Sequence, residues 1–102
     1  MPNDGNTNPF NRIKINKYLK KVDGWSVKKN NNKNYYLEKE IKFKTFTESH
    51  QFTNTISKIA ELEGHHPDIS FGWGYVRIKI HTHAIKGLAE NDFILAAKIN
   101  QV

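Results

Sequence analysis

Apolar residues recur along this chain with two periods, and the switches between them predict its elements. Ile15, Leu19 and Val22 fall at i, i+4 and i+7, so residues 11–22 predict a short amphipathic helix with Lys14, Lys17, Lys20 and Lys21 largely outside its apolar face. Asp23-Gly24 stops it, and Trp25 with Val27 opens a weakly alternating strand. The polar loop Asn30-Asn31-Asn32-Lys33-Asn34 reads as a hairpin tip, because asparagine tolerates positive φ and competes with ladder hydrogen bonds. Over residues 35–43, Leu37, Ile41 and Phe43 share one face with Lys39, while Glu38, Glu40 and Lys42 take the other, as in a half-buried antiparallel strand. Period 3.6 then returns: Phe52, Ile56, Ile59 and Ala60 make one stripe of a helix predicted from about Thr47 to Glu63, with Thr45-x-x-Glu48 as a competing capping box.

Gly64 stands where a left-handed residue closes a helix, and Pro67 prevents continuation. A strand is expected over residues 68–73, with Ile69, Phe71 and Trp73 on one side, before a Gly72–Gly74 turn. The next strand, over residues 75–83, places Val76, Ile78, Ile80 and Thr82 toward the core and Tyr75, Arg77, Lys79, His81 and His83 on the opposite face. Leu88, Leu95, Ala96 and Ile99 mark a last helix from about Glu90, with Asp92 in its first turn. The order helix, strand, strand, helix, strand, strand, helix predicts an α+β fold: a four-stranded antiparallel sheet with three helices packed on one face. Both tryptophans are expected to pack. Residues 1–9 are expected to be a flexible arm and 10–102 a single domain.

Composition bounds the partners. At 102 residues the chain can bury only about two-thirds of its unfolded surface, so partner subunits would add burial. No cysteine is present, which excludes a disulfide framework and thiolate metal sites. With no apolar run of about 18 residues and no signal-like segment, no membrane role is expected, and the cytoplasm is the default, with the nucleus also open. The formal charge of +6 raises the question of nucleic acid, but the lysines are dispersed and no basic run with interleaved aromatics occurs, so a solvated basic surface is the better reading.

Four of the five histidines, His65, His66, His81 and His83, gather between Glu61 and Asp92. An imidazole exchanges protons near neutrality, so the cluster suggests acid/base chemistry or a metal. His81-x-His83 on a strand with Glu61 or Asp92 fits a divalent-metal site, while Ser49, Ser57 and Ser70 lack the context of a nucleophile. Glu61, one helical turn before His65, is placed to orient it.

The spacing Glu61-x3-His65-His66-Pro67-x5-Trp73-x9-His83-x8-Asp92, with Gly24-Trp25, Thr82-His83, Gly87-Leu88 and the closing Ile99-Asn100-Gln101-Val102, resembles the pterin-4a-carbinolamine dehydratases. In animals these proteins are also dimerisation cofactors of a homeodomain transcription factor. The resemblance implies an α+β domain that forms dimers or tetramers and uses no metal or redox cofactor. It implies dehydration of 4a-hydroxytetrahydropterin to quinonoid dihydropterin, which recycles the cofactor of aromatic amino acid hydroxylases. By matched position it implies a pterin lying between Gly64, His65 and His66 on one side and His81, Thr82, His83 and Ala84 on the other. His65 and His83 would move protons, His66 would bind and polarise the pterin, and Glu61 would orient an imidazole. Asp92, Trp25 and Pro67 would support the site. The alternative it carries is an oligomeric interaction module that serves a transcription factor. The chain departs from the family pattern at Gly64, where an acidic residue is frequent, at Ala84 for glutamate, at Asn91 for arginine and at Ala89 for a capping Ser or Thr.

Overall fold

The computed structural model describes residues 8–102. The element order is α1 (Arg12–Leu19), β1 (Ser26–Lys29), β2 (Tyr35–Lys42), α2 (Phe46–Glu63), β3 (Asp68–Gly72), β4 (Tyr75–Ile80) and α3 (Glu90–Ile99), with a 3-10 turn at His83–Ile85. The strands form one antiparallel sheet in the order β1-β2-β4-β3. This is the expected α+β architecture. The first seven positions of the expected arm lie outside the described residues; Pro9 lies against Gly87, where an added Cβ would come within 2.7 Å of it.

Alternation along β2 and β4 divides the sheet. Leu37, Val76, Ile78 and Ile80 are fully buried and meet Ile15, Ile56, Leu88, Leu95 and Ile99 in one core. On the other face the register sets Glu38 opposite Lys79 and Glu40 opposite Arg77, and Arg77 binds Glu40 through Nε and Nη2 at 3.0 and 2.6 Å. Cross-strand opposite charges of this kind suit a solvated face. Lys39 lies on the core side, yet its ammonium escapes to the edge, donating to Asn100 Oδ1 at 2.7 Å. The same oxygen accepts from the Trp25 indole at 2.9 Å, so the buried Trp25 ties the start of β1 to the end of α3.

Several boundaries differ from expectation for local reasons. α1 ends at Leu19, because i→i+3 bonds from Lys21 to Tyr18 and from Val22 to Leu19 tighten the chain into turns; Val22 is buried from the turn instead. α2 begins at Phe46, since the Thr45 hydroxyl accepts from the Glu48 N–H at 3.1 Å and makes Thr45 the N-cap. β3 stops at Gly72, and Trp73 sits in a two-residue hairpin turn with 76% of its surface exposed, so it does not pack. That turn requires Gly74 at φ +83°. β4 stops at Ile80 rather than running to His83, because Thr82 and Gly87 bridge to each other and fold residues 83–86 into a loop.

Candidate functional site

The end of α2 sets the position of His65. Gly64 adopts φ +65°, its N–H bonds to the Glu61 carbonyl at 3.1 Å, and the His65 N–H bonds to the Ala60 carbonyl at 3.1 Å. This is a Schellman closure, which satisfies two of the carbonyls a helix end leaves open. The backbone of His65 therefore belongs to the helix stop, and Pro67 two residues later directs the chain into β3.

Asp92 lies in the first turn of α3, and its side chain is fully buried. Its Oδ2 accepts from the Ala89 N–H at 2.8 Å and from the Thr82 hydroxyl at 2.9 Å, while Oδ1 lies 2.6 Å from His65 Nε2. Ala89 is the N-cap and has no side chain able to cap, so the carboxylate of Asp92 supplies that N–H with its acceptor. One buried carboxylate thus joins the loop after α2, the end of β4 and the start of α3. A carboxylate only accepts, so His65 Nε2 donates and Nδ1 is left to exchange a proton.

Glu61 contacts His66 rather than His65. Its Oε1 lies 2.5 Å from His66 Nε2, with both side chains largely exposed. The reason is direction: His65 turns inward to Asp92, and His66 turns back along α2. His81 Nε2 and His83 Nδ1 are 3.2 Å apart, so one carries the proton and the other accepts it. The His81 pKa is lowered from its ordinary value, first by burial and then by the neighbouring His83. Thr82 between them is buried, and Ala84 is exposed on the 3-10 turn.

His81 and His83 open onto a cleft of about 530 Å³ whose other walls are Asn30, Asn32, Asn34 and Lys86. Those four residues were not among the sequence candidates. The signal for them is register: continuing the Leu37–Ile80 pairing outward carries the 30–34 loop toward the residues after β4. Trp25 is not brought to this site, since its bond goes to Asn100 at the opposite end of α3 from Asp92. The fifth histidine, His50, stands on α2 against the Phe71 ring, 5.8 Å between centroids. Among the described residues, no three His, Cys, Asp or Glu side chains converge as a metal-ligand set.

Residues 8–102 match the family described as Pterin 4 alpha carbinolamine dehydratase. A relative from Azoarcus sp. (strain BH72), provisionally named a pterin-4-alpha-carbinolamine dehydratase, is 41% identical over 101 residues, covering 99% of this chain and 84% of its own. The mitochondrial pterin-4-alpha-carbinolamine dehydratase 2 of Arabidopsis thaliana is 51% identical over 85 residues, 82% of this chain and 45% of that protein. The crystal structure of a transcriptional coactivator/pterin dehydratase from Brucella melitensis superposes with a TM-score of 0.80 at 28% identity, covering 92% of this chain and 97% of that one. A pterin dehydratase-like protein identified as a RuBisCO assembly factor in the alpha-carboxysome shares the fold, with a TM-score of 0.64 at 23% identity over 76% of this chain and 87% of that one. Matched along nearly its whole length by family, relatives and fold, the chain belongs to the pterin 4 alpha carbinolamine dehydratase family.

Proposed function

We propose that this chain dehydrates 4a-hydroxytetrahydropterin to quinonoid dihydropterin by histidine acid/base catalysis, as a step in recycling a tetrahydrobiopterin-type cofactor. The observation that carries the proposal is the buried carboxylate shared between His65 and Thr82. It orients one imidazole and ties it to the strand end that carries the His81–His83 pair. Each of three imidazoles has one ring nitrogen engaged and the other open: Nδ1 of His65, Nδ1 of His66 and Nε2 of His83.

In the reaction the C4a–oxygen bond breaks as a proton reaches the leaving hydroxyl, and the N5–H bond breaks as the C4a=N5 double bond forms, so water and quinonoid product balance the substrate. His65 and His83 are assigned the two proton transfers, each accelerating the reaction by about 10²- to 10⁴-fold. His66, held by Glu61, binds and polarises the ring. Gly64 and the backbone of residues 81–84 line the substrate. The frequent acidic residue before the histidine pair is absent here, and Glu61 is the carboxylate that reaches His66 instead.

A second reading is an interaction module, favoured by the coactivator name of the Brucella neighbour and by exposed apolar side chains at Leu62, Ile13 and Trp73. Such a surface also supports a homo-dimer or homo-tetramer. Among the described residues no helix is long and apolar enough to cross a membrane; the cytoplasm is proposed as the working compartment.

The test is spectrophotometric dehydration of a freshly generated 4a-hydroxytetrahydropterin. Wild-type protein is expected to accelerate it with or without a chelator, and His65→Ala and His83→Ala to slow it strongly while remaining folded. Loss of activity to a chelator with recovery on adding zinc, or wild-type rates in both variants, would overturn the mechanism. Robust dehydration with no protein partner retained in a pull-down disposes of the second reading.

A further inference from the structure

Every side chain in the wall of the cleft facing His81 and His83 offers a hydrogen-bond donor: the amides of Asn30, Asn32 and Asn34, which also accept, and the Lys86 ammonium. Asn30 Oδ1 is committed to the loop itself, accepting from the backbone N–H groups of Asn32 and Asn34 at 2.9 and 3.0 Å. A third bond, from the Asn30 N–H to the Asn34 carbonyl at 2.9 Å, closes the loop. The loop is therefore braced before any ligand arrives, with the Asn30 amide NH2 and the side chains of Asn32 and Asn34 free to bind.

Lys86 stands across from this loop. Its backbone is left-handed, φ +55°, and is held there by its N–H bonding to the His83 carbonyl at 3.2 Å. Its ammonium has no carboxylate partner among the described residues, and no carboxylate lines this cleft. In the adjoining depression the one acidic residue, Asp68, is accompanied by Lys29 and Lys79. Positive charge therefore prevails in the ground beside His83, with amide NH2 groups at hand to add donors, which favours a negatively charged or strongly accepting group.

Position says which part of a substrate would meet it. In a pterin, C6 is bonded directly to N5, the atom that loses its proton in the proposed reaction. With N5 set at His83, the substituent on the adjoining C6 lies next to the cleft that His83 shares with the 30–34 loop and Lys86. We propose that this loop and Lys86 form a subsite for an oxyanion, a carboxylate or phosphate carried on the C6 tail of the pterin. The placement of the ring rests on the dehydratase reading; the donor wall does not.

Equilibrium binding separates the two. The probes are 6-hydroxymethylpterin, its monophosphate ester and pterin-6-carboxylate, followed by their own fluorescence, with inorganic phosphate as a competitor. Wild-type protein is expected to bind at least one anionic pterin about five- to tenfold more tightly than the neutral parent, a preference that weakens with salt and with inorganic phosphate. Which anion gains more identifies the tail. Lys86→Met and, separately, Asn32→Ala should reduce the preference, Lys86→Arg should retain it, and Lys58→Met on the outside of α2 should leave it as in wild type. Equal affinities for the three pterins, or a preference unchanged in Lys86→Met, would overturn the subsite. Absent dehydration with an intact preference would sink the catalytic reading and leave the subsite standing.

Discussion

The Asp92 carboxylate lies 2.6 Å from Nε2 of His65, wholly buried, with its second oxygen already accepting from Ala89 and Thr82. Three donors, from the loop after α2, the end of β4 and the cap of α3, thus converge on one carboxylate. Such a carboxylate orients an imidazole and selects its tautomer at once.

Replacing Asp92 by asparagine keeps the shape but not the tautomer. The amide oxygen can still serve Ala89 and Thr82, while its NH2 faces His65, which must then accept at Nε2 and carry its proton on Nδ1. Turnover by Asp92→Asn is expected to fall by about 10²-fold or more, with the fold retained. Asp92→Ala instead strips the buried Ala89 N–H and His65 Nε2 of their acceptor, leaves the Thr82 hydroxyl only Asn91 Oδ1 at 3.3 Å, and is expected to lose about 2–4 kcal/mol of stability. Kinetics paired with urea denaturation check both; wild-type turnover in Asp92→Asn would remove His65 from proton transfer.

Stability should fall with acid through His81. Its pKa is lowered below the ordinary 6.5 by burial and by His83, with a smaller downward push from His65 and opposing upward pulls from Asp68 and Asp92. A base whose pKa drops on folding binds fewer protons folded than unfolded between the two values. The contribution is therefore fully present above 6.5, declines as pH falls from there toward the folded value, and levels off below it. Denaturant titrations between about pH 5 and pH 7.5 should show a shallower slope for His81→Asn than for wild type; identical slopes would show that other groups govern this range.

Gly64 is required for its backbone and not for space. Apart from its own stretch of chain, no atom of the described residues lies within 4 Å of where a Cβ would stand, but φ is +65°. Gly64→Ala is expected to cost about 1–2 kcal/mol and Gly64→Asn less, because asparagine visits the left-handed region more readily. Thermal denaturation of the pair decides it, and a stability unchanged in Gly64→Ala would mean the helix stop is not held by this residue.

The two tryptophans should behave oppositely. Trp25 is buried and bonded to Asn100, so Trp25→Ala is expected to lose about 3–5 kcal/mol. Trp73, exposed in its turn, should change the stability of the isolated subunit by no more than about 0.5 kcal/mol on substitution by alanine. Denaturation at low protein concentration measures both; a large loss for Trp73→Ala there would place it under a contact within the chain.

The periodic stretches determined most of this architecture. The alternation Val76, Ile78, Ile80 and the stripe Phe52, Ile56, Ile59, Ala60 each specify one buried face whatever they pack against, because a period of 2 or 3.6 is a property of the backbone. The helix stop at Gly64 and the turn at Gly74 were legible for the same reason, since positive φ is a local demand that glycine meets. The order of elements and the candidate histidines followed from the chain alone.

Only the tertiary structure decided which carboxylate meets which imidazole. Glu61 is close to His65 in sequence, yet His65 turns to Asp92, 27 residues away, because its backbone is captured by the helix stop that points it inward. His83 left the expected strand once Thr82 paired with Gly87, and Trp73 lost its expected packing because a two-residue turn faces solvent. The asparagine loop and Lys86 reached the site through strand register, a relation between segments that no local pattern encodes. Local conformational preference acts over a few residues and can be read along the chain, whereas hydrogen bonds and electrostatic contacts form between side chains that only packing brings together.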